Sequence, residues 1–160
     1  GGFAVWAVHT TEKTAKKFAV GVHGSIDGGN ASRCAVAMAV VNILATPATR
    51  ANIAARTDQL RTGLRTLNDK YTLFTDILAS GLWFGCELIP KWHGRAKEFV
   101  KMAEKHCLMI LVAGTSVIRL APSLLIAAED IELGLKRFDT VFAEVLAAEA
   151  AASPAAVALA

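Results

Sequence analysis

Val22-His23-Gly24-Ser25-Ile26-Asp27-Gly28-Gly29-Asn30 runs almost directly into the apolar segment Cys34-Ala35-Val36-Ala37-Met38-Ala39-Val40-Val41. Together they read as a polar ligand loop feeding a helix packed on several sides. Gly24, Gly28 and Gly29 permit positive φ and a close backbone approach, while Ser25 and the free N–H groups can donate to an oxyanion. Asn30 suits the N-cap of the helix that follows. That helix start offers unpaired donors and a positive dipole end to a phosphate or carboxylate. An ordinary glycine-rich turn before a helix has the same local chemistry, so both readings stay open at this level.

On the N-terminal side, residues 3–8 form a short apolar run expected as a strand, and Thr10 or Thr11 can cap a short helix ending near Phe18. On the C-terminal side, Thr46-Pro47 ends the apolar helix near Ala45 and starts another, since proline is tolerated in the first turn. There Ile53, Leu60, Leu64 and Leu67 recur at helical spacing with arginines on the other faces, which describes a surface helix with one buried stripe. Residues 73–78 and 82–88 read as strands joined through Ala79-Ser80-Gly81. Residues 95–106 read as a helix with Ala96, Phe99, Val100 and Ala103 on one face, and residues 107–112 and 116–120 as two further strands around Gly114. Ile131, Leu135, Phe138, Phe142 and Val145 mark a long final helix, with Glu129 and Asp130 at its positive end. The Ala-rich tail 151–160 offers nothing to bury and is expected to fray. The layout is α+β, with helices over one face of a small, mostly antiparallel sheet.

The chain has 160 residues, is 54% hydrophobic and carries a net charge of +3. One core is affordable at this length, and part of the apolar surface is expected to lie against something else. Its basic residues are dispersed, which argues for solvated helix faces and against nucleic acid. Cys34, Cys86 and Cys107 are odd in number and apolar in setting, as reduced core thiols of a cytoplasmic protein would be. His9, His23, His93 and His106 have no ligand spacing, so no metal site is expected. Residues 107–128 are apolar enough to raise a membrane span, but Gly114, Arg119 and Pro122 interrupt them. The start at Gly1-Gly2-Phe3, with no Met or charged leader, is expected to be a fragment boundary.

Four ordered segments carry a resemblance to a known family. The loop at 22–31 resembles the H-G-S-T-Y-G-G-N-P segment of class III, ornithine-type, pyridoxal-phosphate aminotransferases, most of all the acetylornithine and succinylornithine enzymes. Gly1-Gly2-Phe3-Ala4-Val5 is similar to their G-G-F-P-V. Gly81-Leu82, Gly85 and Glu87-Leu88 are similar to G-L-x-x-G-x-E-L, and residues 117–124 to V-x-R-F-A-P-S-L. The resemblance implies the small C-terminal domain of a fold-type-I transferase (47–150), preceded by the last strand, helix, loop and helix of its large cofactor-binding domain (1–46) and followed by the tail. It implies a homodimer, with pyridoxal phosphate as cofactor, an amino acid and 2-oxoglutarate as substrates, and a role in arginine metabolism.

Transamination needs a Schiff-base lysine, an acid at the pyridine nitrogen, a phosphate cup and cations for substrate carboxylates. By resemblance the lysine precedes the G-G-F segment, so no catalytic residue is assigned and the chain alone is expected to be inactive. Arg119 is the strongest candidate for substrate binding. A mid-strand guanidinium is costly if unpaired and can hold a carboxylate through two parallel hydrogen bonds. Pattern alone leaves a structural ion pair equally open, and the resemblance implies the substrate α-carboxylate. Ser25 matches the serine beside substrate and cofactor. Ile26 stands where the family has a threonine that binds the phosphate of the partner subunit's cofactor, leaving only its backbone N–H to help. Asp27 for the usual aromatic, Ala31 for Pro and Leu78-Ala79 for Arg-Gly are further departures. They keep open a non-catalytic homologue or dimerisation module that has lost the cofactor.

Overall fold

The computed structural model describes residues 5, 7–19, 21, 24 and 28–152, which form two compact units, Gly1–Thr49 and Arg50–Ala160. Ser25, Ile26 and Asp27 lie outside the described residues, as does the tail from 153 onward.

In the first unit, α1 (Glu12–Ala15) is capped by Thr11 and α2 (Ala31–Leu44) by Asn30, whose Oδ1 accepts from the Arg33 N–H at 3.2 Å. Two expectations need correction. Val5, Ala7 and Val8 are exposed and belong to no strand; an apolar run becomes a strand only with a ladder partner, and none exists among the described residues. Helix α2 buries nothing, with Met38, Val41 and Ile43 exposed. Small apolar residues permit close approach by neighbours but do not supply them.

The second unit holds the core. After Thr46 receives the Thr49 N–H at 3.1 Å, α3 (Pro47–Tyr71) buries Leu60, Leu64 and Leu67 along one stripe. Four antiparallel strands follow in the order β1-β2-β4-β3, namely β1 (Phe74–Ser80), β2 (Trp83–Leu88), β3 (Leu111–Ala113) and β4 (Val117–Leu120). A short 3-10 turn (Pro90–Trp92) and α4 (Ala96–Lys105) come between β2 and β3, and α5 (Ala128–Ala152) ends the fold. Phe84, Cys86, Leu88, Ile118 and Leu120 face inward, while Leu78 and Trp83 remain exposed. Trp92, Phe99, Phe138, Phe142 and Phe74 interlock at ring separations of 5.2–6.1 Å, mostly edge to face, where α4, α5 and the sheet meet.

Cysteine placement differs from expectation. Only Cys86 is a core thiol, and burial pushes it up to about 12; Cys34 and Cys107 are exposed. Cys107 follows α4 in the left-handed region at φ 52°, so its backbone ends the helix and the strand begins later than residue 107. No single helix among the described residues is long and apolar enough to cross a membrane. Residues 107–128 hold β3, β4 and a loop instead.

The α3–β1 corner depends on one side chain. Asn68 Oδ1 accepts from the N–H groups of Leu73 (2.9 Å) and Phe74 (2.7 Å), and its Nδ2 donates to the Phe74 carbonyl at 3.0 Å. These bonds hold the chain through Thr72, at φ 50°. Asn68→Ala leaves two part-buried donors unpaired and is expected to cost about 1–3 kcal/mol in chemical denaturation; a loss within measurement error would show that water replaces the amide.

Candidate functional site

Strand alternation puts Ile118 and Leu120 in the core and Arg119 between them on the opposite face. Because β4 pairs on both sides, Arg119 lies across from Gly85 on β2 and Leu111 on β3. Gly85 places no side chain against it.

Arg119 borders an open cavity of about 310 Å³ in the second unit. Its walls come from three places: Leu108 to Leu111 leading into β3, Ala121, Pro122 and Ile126 after β4, and Ile131, Gly134 and Phe138 of α5, with Leu60 of α3 behind. Arg119 and Asp130 are the charged groups of this wall, and no ion pair joins them. The Nε of Arg119 is buried and has no hydrogen-bond partner among the described residues, and of the residues there with such an atom, Arg119 alone borders this cavity. The ion pair that pattern left open is therefore absent among the described residues. A buried guanidinium nitrogen without an acceptor is costly, and a carboxylate at the cavity would relieve that cost.

Arg95 shows what a structurally committed arginine looks like in the same unit. Its Nε and Nη2 reach Glu98 at 2.7 and 2.8 Å, and Nη2 also meets Glu149 at 2.7 Å. The guanidinium lies 4.4 Å from the Trp92 ring centroid. Hydrogen bonding from Arg95 holds the Glu149 carboxyl below the usual carboxylate range. Its Nε and Nη2 donors are taken up by these two carboxylates.

The loop after β4 is held from α3. Asn52 Nδ2 donates to the carbonyls of Leu124 (3.4 Å) and Ile126 (3.2 Å), and Gln59 Nε2 to that of Ala128 at 3.1 Å. Sequence reasoning found Arg119 but missed Asn52, Asp130 and Gly134, since no local pattern links residues brought together from α3, the loop and α5.

With respect to pyridoxal phosphate, every lysine of the chain is exposed and none borders the cavity. Ser25 and Ile26 cannot be placed against Arg119, being outside the described residues.

An α+β unit of this order has known counterparts. Residues 1–142 match the class-III aminotransferases, and the chain belongs to that family, whose members depend on pyridoxal phosphate. It is 46% identical to acetylornithine aminotransferase 1 of Pseudomonas syringae pv. tomato over 144 residues, covering 90% of this chain and 36% of that protein. It is 44% identical to the acetylornithine aminotransferase of Vibrio cholerae, covering 91% and 36%. The crystal structure of N-acetylornithine aminotransferase from Stenotrophomonas maltophilia superposes with a TM-score of 0.69 at 32% identity, over 71% of this chain and 31% of that one. The chain thus spans about a third of the length of the relatives it matches.

Asn52→Ala is expected to free the loop that walls the cavity. Hydrogen exchange at residues 123–127 should accelerate while the core strands stay protected; unchanged exchange there would show that other contacts hold the loop.

Proposed function

We propose that this chain belongs to a transferase moving the amino group of N-acetylornithine or succinylornithine to 2-oxoglutarate, giving the semialdehyde and glutamate in arginine metabolism. The observation that carries the reading is an arginine, Arg119, that borders the 310 Å³ cavity with a buried Nε unpaired among the described residues, in a chain 46% identical to an acetylornithine aminotransferase. Arg119 binds the α-carboxylate of glutamate or 2-oxoglutarate in a two-bond grip and so orients the reacting end of that molecule. The apolar walls of the cavity it borders lower the local dielectric and strengthen that grip. Pyridoxal phosphate, when bound to the complete protein, supplies the electron sink for amine exchange. Ser25 lies beside substrate and cofactor, and Ile26 offers its backbone N–H to the cofactor phosphate across a homodimer in the cytoplasm. The chain alone, without a lysine suited to hold the cofactor, is inactive.

A second reading is favoured by one specific observation. Ile26 and Asp27 stand where the family carries a threonine and an aromatic, and together they remove a hydroxyl and add a negative charge near a phosphate. On that reading the protein keeps the fold and dimer surface and has lost the cofactor.

Two measurements on the full-length protein separate these. Cofactor absorbance that appears with pyridoxal phosphate and is consumed on adding glutamate supports the transferase; no band supports the non-catalytic homologue. Arg119→Gln is then expected to lower kcat/KM for 2-oxoglutarate roughly 10- to 100-fold while leaving the cofactor band intact. An unchanged kcat/KM would remove Arg119 from the site.

A further inference from the structure

Both long helices of the second unit carry an interior glycine. Glycine is the poorest helix former after proline, so each position calls for a reason. Gly63 of α3 has one in packing, since a Cβ there would overlap the Leu135 side chain of α5. Gly134 of α5 has none of that kind. A Cβ built there meets nothing within 4 Å, and its φ is not in the left-handed region. What Gly134 borders is a cavity that Arg119 also borders.

We infer that Gly134 is a specificity-determining residue: by carrying no side chain it keeps open the part of the cavity that receives the apolar body of a carboxylate held at Arg119. This rests on the reading of Arg119 as the carboxylate-binding group. The ligand class follows from the walls. Leu60, Ile110, Ile126 and Phe138 offer apolar surface, and the other charged group there is the acidic Asp130. A second carboxylate in this space would lose its water against aliphatic walls and meet a like charge. The cavity therefore takes a monocarboxylate with an apolar body, which competes for Arg119 with acidic substrates whose far carboxylate points elsewhere.

The test uses the full-length protein and three probes, acetate, butanoate and 4-methylpentanoate, with dissociation constants from ligand-observed NMR. In the unmodified protein the affinity should rise about fourfold for each methylene buried. Gly134→Leu should leave acetate within twofold and weaken 4-methylpentanoate at least tenfold, with no fall in unfolding temperature because a helix glycine is replaced by a better helix former. Gly134→Ala, a smaller change, should weaken 4-methylpentanoate by less. An absence of chain-length dependence in the unmodified protein, or full retention of 4-methylpentanoate by Gly134→Leu, would overturn the inference. Arg119→Gln keeps the two claims apart. If it leaves acetate binding unchanged, the carboxylate reading fails; if acetate is lost but both Gly134 variants behave as the unmodified protein, the Gly134 inference fails alone.

Discussion

The double pairing of β4 is the constraint on which the second unit turns. Val117–Leu120 pair with β2 on one side and the first three of them with β3 on the other, so their register cannot slip without breaking both ladders. A one-residue slip would carry Ile118 and Leu120 out of the core and Arg119 into it, an exchange that burial forbids. The position of the arginine is thus a by-product of the burial of its chain neighbours Ile118 and Leu120. Precision at the site comes from the core and not from contacts made by the guanidinium itself.

The same unit holds two arginines with opposite fates. Arg95 is gripped by two carboxylates and stacked on Trp92, which joins α4 to α5 near the aromatic cluster. Arg119 keeps a buried nitrogen without an acceptor among the described residues and borders a mostly apolar cavity. Proteins retain such an unsatisfied group where something else completes it, because the desolvation cost is otherwise uncompensated. Membership of the class-III aminotransferases supplies a chemical context for that completion, and the chain spans about a third of the length of the relatives it matches.

Much of the second unit was legible because each element declared its period. Leu60, Leu64 and Leu67 repeated at helical spacing and are buried, and Ile131, Phe138, Phe142 and Val145 did the same. Glycines at 81, 94 and 114 marked turns and adopt positive φ. The misreadings concern partners and not local form. Residues 3–8 had strand composition, yet the described ones have no ladder; α2 had the composition of a buried helix and buries nothing; Cys34 and Cys107 sat in apolar sequence and are exposed. Composition states what a segment tolerates, whereas burial depends on what arrives beside it. The cavity was illegible for a related reason: Asn52, Ile126 and Gly134 converge only in three dimensions, and glycine in a helix gives no sign of what space it leaves open.

The central claim is that Arg119 is completed by a ligand carboxylate. The most direct measurement is a crystal structure of the full-length protein with 2-oxoglutarate bound. The account predicts a carboxylate making two parallel hydrogen bonds to the Arg119 guanidinium at the cavity. An Arg119 guanidinium already paired with an Asp or Glu of the protein, with 2-oxoglutarate bound elsewhere, would contradict it.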